Sequence, residues 1–342
     1  MAFSTLAGVA RAILVSLFAL IAVAAGSARV QAQEFDAYDQ LVSDFVAQYL
    51  ARSIVISDAN LITLGIVDFD PNEFVDLGNI NTGDAETLKQ RSSLTSYALP
   101  WVGKWQTVTD KWRTRAVLRL SYVATKQELA FEDDVQTLNT MRDTTYIGYA
   151  ENTWEYRVND HWRANLSLGL DLLHYNNDFT YREEALEALK PLLDGSLFNT
   201  SYDAWMLDPG IAISYTGKVY GHKWEYSANY RYAVGRTFNV DSHAQRVSPE
   251  VGRLSNSLVL HYDTPDFYNR RSQVRLLARR IDLDADAVEP MGTDHYFEVG
   301  AGWLIETKND ISWLQNVGLG LSLNIDSDLS GGSVVILFNE SM

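Results

Sequence analysis

Alternating apolar and polar positions recur along most of the chain. In residues 162–172 the two faces separate completely, with Trp162, Ala164, Leu166, Leu168, Leu170 and Leu172 on one side and Arg163, Asn165, Ser167, Gly169 and Asp171 on the other. A period of two residues indicates β-strands with one apolar face. The same alternation is clear in 112–125, 224–235 and 317–326 and weaker in 61–70, 91–99, 143–158, 203–215, 252–262, 272–283, 294–306 and 332–339. The pattern therefore predicts about twelve strands.

The clear runs span roughly 10–14 residues, which is enough to cross a bilayer at a tilt of about 45°. A soluble sandwich also alternates, but its strands are typically about five or six residues long. Bulky aromatics end the apolar faces, as in the two aromatic girdles of a membrane barrel. One predicted girdle comprises Trp112, Trp154, Trp162, Tyr215, Trp224, Tyr262 and Trp303, and the other Tyr122, Tyr146, Trp205, Tyr232 and Phe297. We therefore predict an all-β fold, a transmembrane antiparallel β-barrel.

The connections between the predicted strands fall into two classes. Residues 159–161 and the turn around Gly217 and Gly221 are short. The polar linkers 71–90, 126–142, 174–202 and 236–251 are long, and the third contains a possible short helix, REEALEALKPLL. Because outer-membrane barrels have short periplasmic turns and longer outer loops, the long linkers are expected to lie at the cell surface.

Residues 1–32 are expected to form a secretory signal peptide. Arg11 precedes the apolar run Ala12 to Ala25, and Val30-Gln31-Ala32 resembles a cleavage site. The run is short for a membrane span, so an uncleaved anchor is the less favoured alternative. Cleavage would leave Gln33 as the new amino terminus. We assign 33–57 as a helical segment and 58–342 as the barrel.

Residues 36–52 show helical periodicity, with apolar residues spaced three and four apart. This helix could enter the barrel lumen as a plug, with Asp36, Asp39 and Asp44 facing lumen arginines. Alternatively, it could rest at the rim on its apolar stripe, because a polar lumen offers apolar side chains little.

The polar strand faces would line the lumen. The candidate lumen residues are Arg113, Arg115, Arg119, Arg163, Asp171, Glu225 and Arg231. Arginines in a pore could favour anions. The alternative is structural pairing of these arginines with Asp171, Glu225, Glu298 or the helix acids.

Composition narrows the function classes. The formal charge of −16 argues against a nucleic-acid partner, because phosphate backbones would be repelled. The chain has no cysteine, so disulfides and thiolate chemistry are excluded. We find no HExxH, GxSxG or phosphate-loop motif, and we predict no catalytic residue, metal site or cofactor. Ser257 and His261 share a strand face but stand roughly 13 Å apart, too far for a catalytic pair. Acidic residues 282–289 are assigned to a solvated loop in preference to a calcium site.

A signal peptide, a short helix and twelve amphipathic strands resemble the β-domain of autotransporters, and more narrowly the solitary autotransporter-like barrels without a passenger. The resemblance covers about residues 36–342. Only a few residues separate Gln33 from the helix, so we expect no secreted passenger. Barrels of this kind commonly end on an aromatic residue that the assembly machinery reads, whereas Phe338 lies four residues before the end of this sequence.

The resemblance implies a translocator-like barrel in the outer membrane of a Gram-negative bacterium, with a small or plugged pore. A barrel that meets other surfaces through its outer loops is the alternative, and an outer-membrane enzyme is less favoured. The expected partners are outer-membrane lipids, lipopolysaccharide and the barrel-assembly machinery.

Overall fold

The computed structural model describes residues 28–58, 67–69, 93–129, 138–311, 314–338 and 340. Its helices are α1 (Ala28–Ser57) and α2 (Glu184–Leu193), and two 3₁₀ turns span His243–Gln245 and Glu289–Met291. The strands are β1 (Val67–Phe69), β2 (Leu94–Val102), β3 (Gln106–Thr107), β4 (Trp112–Leu129), β5 (Asn139–Arg157), β6 (Trp162–Thr180), β7 (Ser201–Val219), β8 (His222–Phe238), β9 (Glu250–Phe267), β10 (Arg270–Ala285), β11 (His295–Ile311), β12 (Leu314–Ile325) and β13 (Gly331–Phe338). The predicted signal peptide lies largely outside the described residues.

The strands form one antiparallel sheet in the order β1-β13-β12-β11-β10-β9-β8-β7-β6-β5-β4-β2. β3 pairs with β4 just beyond β2, so β2 and β3 are two parts of one strand. The sheet therefore has twelve strands, as predicted. The first strand pairs with the last, Val67 lying opposite Val334, so β1 and β2 form the two edges of the described sheet, which curls into a near-closed barrel.

The sheet exposes its apolar face and buries its polar face, which is the reverse of the arrangement in a soluble protein. Leu166, Leu168, Leu170 and Leu172 are each 41–54% exposed, whereas Ser167 and Asp171 on the opposite face are buried. The predicted girdle residues share the exposed face, and neighbouring rings touch, as in Trp162–Tyr215 (centroids 4.9 Å apart) and Tyr122–Tyr146 (5.4 Å). A continuous exposed apolar band suits contact with lipid.

The barrel has a turn end and a loop end. The turn end carries the connections 108–111, 158–161, 220–221 and 268–269, and the loop end carries 181–200, 239–249, 286–294 and 326–330. Strands β4 to β10 are 16–19 residues long and extend beyond the predicted runs toward the loop end. Alternation fades there because polar residues such as Asn176 and Asp178 replace the outward-facing leucines. The predicted helix in the third linker is α2.

Helix α1 lies inside the barrel. It is longer than the predicted 36–52, and its residues from Leu50 to Ser57 are all buried. Its apolar residues pack in one cluster with inward-facing strand residues such as Met141, Tyr175 and Met206. The expectation that a polar lumen would offer the apolar stripe little was wrong, because the half of the lumen nearest the loop end is itself apolar. Among the described residues, no helix is long and apolar enough to cross a membrane.

Candidate functional site in the barrel lumen

At mid-height the lumen is crossed by a buried charge network centred on Arg231 of β8. Its guanidinium pairs with Asp208 (2.8 Å) and Glu151 (2.5 Å) and donates to the Tyr149 hydroxyl (2.5 Å). Arg253 of β9 also pairs with Asp208 (2.5 Å). These contacts join β5, β7, β8 and β9 across the lumen. Charged groups this well buried are stable only when paired and hydrogen-bonded.

The carboxyl end of α1 joins this layer. Asp58, directly after the helix, pairs with Arg119 of β4 at 3.3 Å, and the Arg119 guanidinium lies over the Tyr149 ring, 4.5 Å from its centroid. Asp171 is buried in the same layer, opposite Tyr149 in the strand register. The predicted lumen residues Arg119, Asp171 and Arg231 are thus brought together.

The predicted pairing of helix acids with lumen arginines was wrong for two of the three acids. Asp39 lies 2.8 Å from the imidazole Nε2 of His243, and Asp44 accepts a hydrogen bond from Gln40 (2.9 Å). Both acids lie near the loop end, because α1 enters the lumen with its amino end there. The side chain of Asp36 lies outside the described side chains.

The other predicted arginines lie nearer the turn end. Arg113 and Arg163 both pair with Oε1 of Glu155, at 2.6 and 3.3 Å. Their side chains are 38% and 31% exposed, compared with 10% for Arg231 and 1% for Asp208. Among these described residues, the side chains at the turn end are therefore more accessible to water than those of the mid-height network. Glu225 also lies at the turn end, 2.6 Å from the Lys223 ammonium.

The part of α1 from Tyr38 to Gln48 is hydrogen-bonded to the connections at the loop end. The Tyr38 hydroxyl donates to the Leu192 carbonyl (3.0 Å), and burial there raises the pKa of the hydroxyl. Ser43 donates to the Ala244 carbonyl (2.7 Å), and Gln48 donates to Glu289 (2.7 Å). Three loop-end connections thus hold the helix.

The loops also bind one another. The Gln245 amide nitrogen donates to the Ser196 carbonyl (2.8 Å) and to the Thr200 hydroxyl (2.8 Å). Its amide oxygen accepts from the backbone of Asp241 and Ser242, both at 3.0 Å. This fully buried side chain joins 181–200 to 239–249, so the loop end is a folded cap over the lumen.

The residues that were considered for a catalytic pair and for a calcium site contact other side chains of the sheet. Ser257 lies opposite Arg279 and His261 opposite Arg275 in the strand register, and His261 Nδ1 lies 3.0 Å from the Gln273 side-chain oxygen. Asp282 was predicted to lie in an acidic loop, but it lies on β10 and pairs with Arg280 (2.6 Å). Among the described residues, no group of three or more potential ligands is arranged to hold a metal ion.

Several lumen residues were not predicted from the sequence, namely Asp58, Trp105, Tyr149, Glu151, Asp208 and Arg253. Glu151 and Asp208 sit at lumen-facing positions of runs that were identified, so completing the alternation would have found them. Asp58 follows a helix whose length was underestimated. Trp105 faces the lumen only because the strand is irregular beside it, which the alternation alone does not reveal.

No curated protein matches this chain. Among solved structures, the chain is similar to LpxR from Salmonella typhimurium, with 10% sequence identity and a TM-score of 0.36 over 70% of this chain and 86% of that one. A family model described as the solitary outer membrane autotransporter beta-barrel domain matches residues 47–340. This match spans the described strands and the carboxyl-terminal third of α1. The chain belongs to the family of solitary autotransporter β-barrels of the bacterial outer membrane.

Proposed function

We propose that this protein is a translocator-type barrel that is plugged by its own helix α1 and closed to ions at rest. The burial of α1 in the lumen carries this proposal. The helix fills the apolar half of the lumen, and the charge network below it crosses the remaining bore at mid-height. Removing the helix would leave only the side chains of the mid-height network between the emptied half of the lumen and the arginines at the turn end. The proposal assigns the barrel no catalytic step.

The direction of α1 supports the translocator class. Its amino end contacts the long connections, which face outward in outer-membrane barrels. A chain exported from the inside of the cell reaches the barrel from the periplasm. The segment before Tyr38 must therefore cross the outer membrane during assembly, and α1 then remains in the lumen. On this proposal the outward face lies among outer-membrane lipids and lipopolysaccharide, and the assembly machinery inserts the barrel.

The location of α1 can be tested by cross-linking, because the chain has no native cysteine. The Ser53 and Thr145 hydroxyl oxygens are 3.5 Å apart, so cysteines at both positions should form a disulfide in cells. Ser53→Cys with Thr153→Cys is the matched control. Thr153 is also buried on the lumen face of β5, but eight residues away, roughly 26 Å along the strand. Cross-linking of both pairs, or of neither, would contradict the proposed location.

The orientation can be tested by labelling intact cells with a membrane-impermeant maleimide. A cysteine replacing the exposed Ala37 should react, and one replacing Tyr220 in the turn between β7 and β8 should react only after lysis. The reverse result would place α1 with its amino end in the periplasm and would contradict the translocator class.

Closure can be tested in planar bilayers. The purified full-length barrel should give no steady current, and a variant that lacks residues 33–57 should conduct, provided that heat-modifiable gel mobility shows it to be folded. Steady currents from the full-length barrel would contradict the plug.

A surface-interaction role is the second candidate function. The folded cap held by Gln245 favours it, because ordered loops can present a fixed surface. Silence in bilayers from both barrels, with both shown to be folded, would favour this role over the translocator class.

A further inference from the structure

A one-residue bulge at the turn end turns an indole into the lumen. Residues 103–105 lie opposite only residues 115–116 of β4, between the register pairs Val102–Val117 and Gln106–Thr114. Gly103 allows the close approach, since a Cβ there would lie 2.9 Å from the Ala116 carbonyl oxygen. Bulges often re-aim a side chain near functional sites. Here Trp105 is aimed at the lumen arginines.

The Trp105 ring stacks against two guanidinium groups. The Cζ atoms of Arg113 and Arg115 lie 4.4 and 4.5 Å from the centroid of the Trp105 ring. Such stacking fixes the guanidinium planes and leaves their N–H edges for an acceptor. Arg115 also has a buried Nε with no acceptor in the described structure. The bulge thus positions two arginines, Arg113 and Arg115. Together their guanidinium groups have more hydrogen-bond donors than the carboxylate of Glu155 can accept.

Two more arginines complete the group. Arg157 and Arg163 face each other directly across β5 and β6 on the lumen side. Like charges in directly opposed positions are destabilising. Glu155 is the carboxylate shared with Arg113 and Arg163, and Glu151 is already paired with Arg231. We call Arg113, Arg115, Arg157 and Arg163 the vestibule arginines.

The excess of cations extends along the same wall. Lys218 and Lys223 are also opposed in register, on β7 and β8. On the lumen face of β4 to β8 at the turn end, these two lysines and the four vestibule arginines stand against two carboxylates, Glu155 and Glu225, a surplus of four. Lys104 and Lys111, which lie outside these strands, are matched in number by Asp110 and Asp160 of the adjoining turns. This surplus occurs in a chain with a net charge of −16.

We propose that the vestibule arginines and Trp105 form a binding site for a small oxyanion that carries more than one phosphate or carboxylate group. Such a ligand would offset the repulsion between opposed cations, and guanidinium groups bind both oxyanions through paired hydrogen bonds. The site faces the turn end, so the ligand reaches it from the periplasm. The site lies below the mid-height network, so it does not depend on whether the barrel conducts.

The experiment titrates the folded full-length barrel in non-ionic detergent with pyrophosphate, and separately with citrate, by calorimetry and tryptophan fluorescence. We expect saturable binding of at least one probe, weakened by added salt because charges at an open mouth are screened. Binding of pyrophosphate alone indicates a phosphate ligand, and binding of citrate alone indicates a carboxylate ligand. Trp105→Phe should abolish most of the fluorescence change while a heat of binding persists.

Arg157→Gln combined with Arg163→Gln should weaken binding at least tenfold. Arg271→Gln is the matched control, because Arg271 lies at the same end on the opposite wall and pairs with Asp263 at 3.0 Å. Its affinity should equal that of the wild type. Absence of saturable binding of both probes to the wild-type barrel would overturn the site, whether or not the variants fold. Equal weakening in the control would also overturn it, since that would indicate only general charge attraction.

Discussion

At the residue scale, Arg231 is the centre of the buried charge network in the lumen. It is 10% exposed and contacts Glu151, Asp208 and Tyr149 from three directions. The structural-pairing interpretation of this predicted lumen residue therefore has a geometric basis. The vestibule arginines differ from it in being more exposed, and two of them, Arg113 and Arg163, share the carboxylate of Glu155.

Arg231→Met tests the network. Removal of the guanidinium leaves two buried carboxylates without their main partner, which costs about 3–5 kcal/mol in the free energy of unfolding. Urea unfolding followed by gel mobility measures this. Arg280→Gln is the control, because the Arg280–Asp282 pair is on the outer surface and exposed. If Arg231→Met lowers the free energy of unfolding no more than Arg280→Gln does, the network contributes little to the stability of the barrel.

Asp286 gives a pH-dependent prediction. Burial raises the pKa of this carboxyl, whose oxygen accepts the Glu250 backbone N–H at 2.9 Å. A carboxyl with a raised folded-state pKa stabilises the fold below its unfolded pKa of about 3.9, and this contribution is lost as the pH rises through the folded pKa. Asp286→Asn should therefore raise the unfolding temperature at pH 7 and leave it unchanged near pH 3. A gain of equal size at both pH values would contradict the electrostatic cause.

At the element scale, α1 marks the limit of the sequence prediction. Its periodicity was visible through residue 52, but Ser53 to Ser57 read SIVIS, which is rich in β-branched residues that favour strands. Burial in the lumen overrides that preference. Strand existence was predictable because lipid imposes a strict alternation. Strand ends toward the loop end were not, because the outward-facing residues there are polar and the lumen-facing residues beside α1 are apolar, so the alternation of the lipid-facing part does not continue.

Leu50→Ala tests how far α1 contributes to the barrel. Leu50 is fully buried in the lumen core, so truncation leaves a cavity and should cost about 2–5 kcal/mol in the free energy of unfolding. Gln40→Ala, on the exposed side of the same helix, should stay within about 0.5 kcal/mol of the wild type. The same urea assay serves both variants. An unchanged midpoint for Leu50→Ala would mean that α1 is not part of the folded core in the membrane.

At the scale of the whole molecule, the lumen changes character along its axis. It is apolar around α1, charged at mid-height and basic at the turn end. The sequence predicted the polar lumen face and seven of its charged residues, because alternation assigns each residue to a face. It could not predict which charges meet, since partners such as Arg231 and Glu151 are 80 residues apart and are joined only when the sheet curls.

The apolar outer face of the barrel predicts how deep in the membrane each of its residues lies. Leu168 lies near the middle of the exposed apolar band, and Asn176 lies on the same face of the same strand, beyond the outer aromatic girdle. An arginine at the middle of a bilayer costs about 2–4 kcal/mol, and near the interface about 0–1. Leu168→Arg should therefore reduce the amount of folded barrel in outer membranes and lower its stability in lipid vesicles, whereas Asn176→Arg should do neither. In detergent micelles, where thickness adapts, the difference between the two variants should shrink. Equal behaviour of the two variants in vesicles would mean that Leu168 does not lie in the hydrocarbon layer, and the depth assigned to the barrel from its girdles would be wrong.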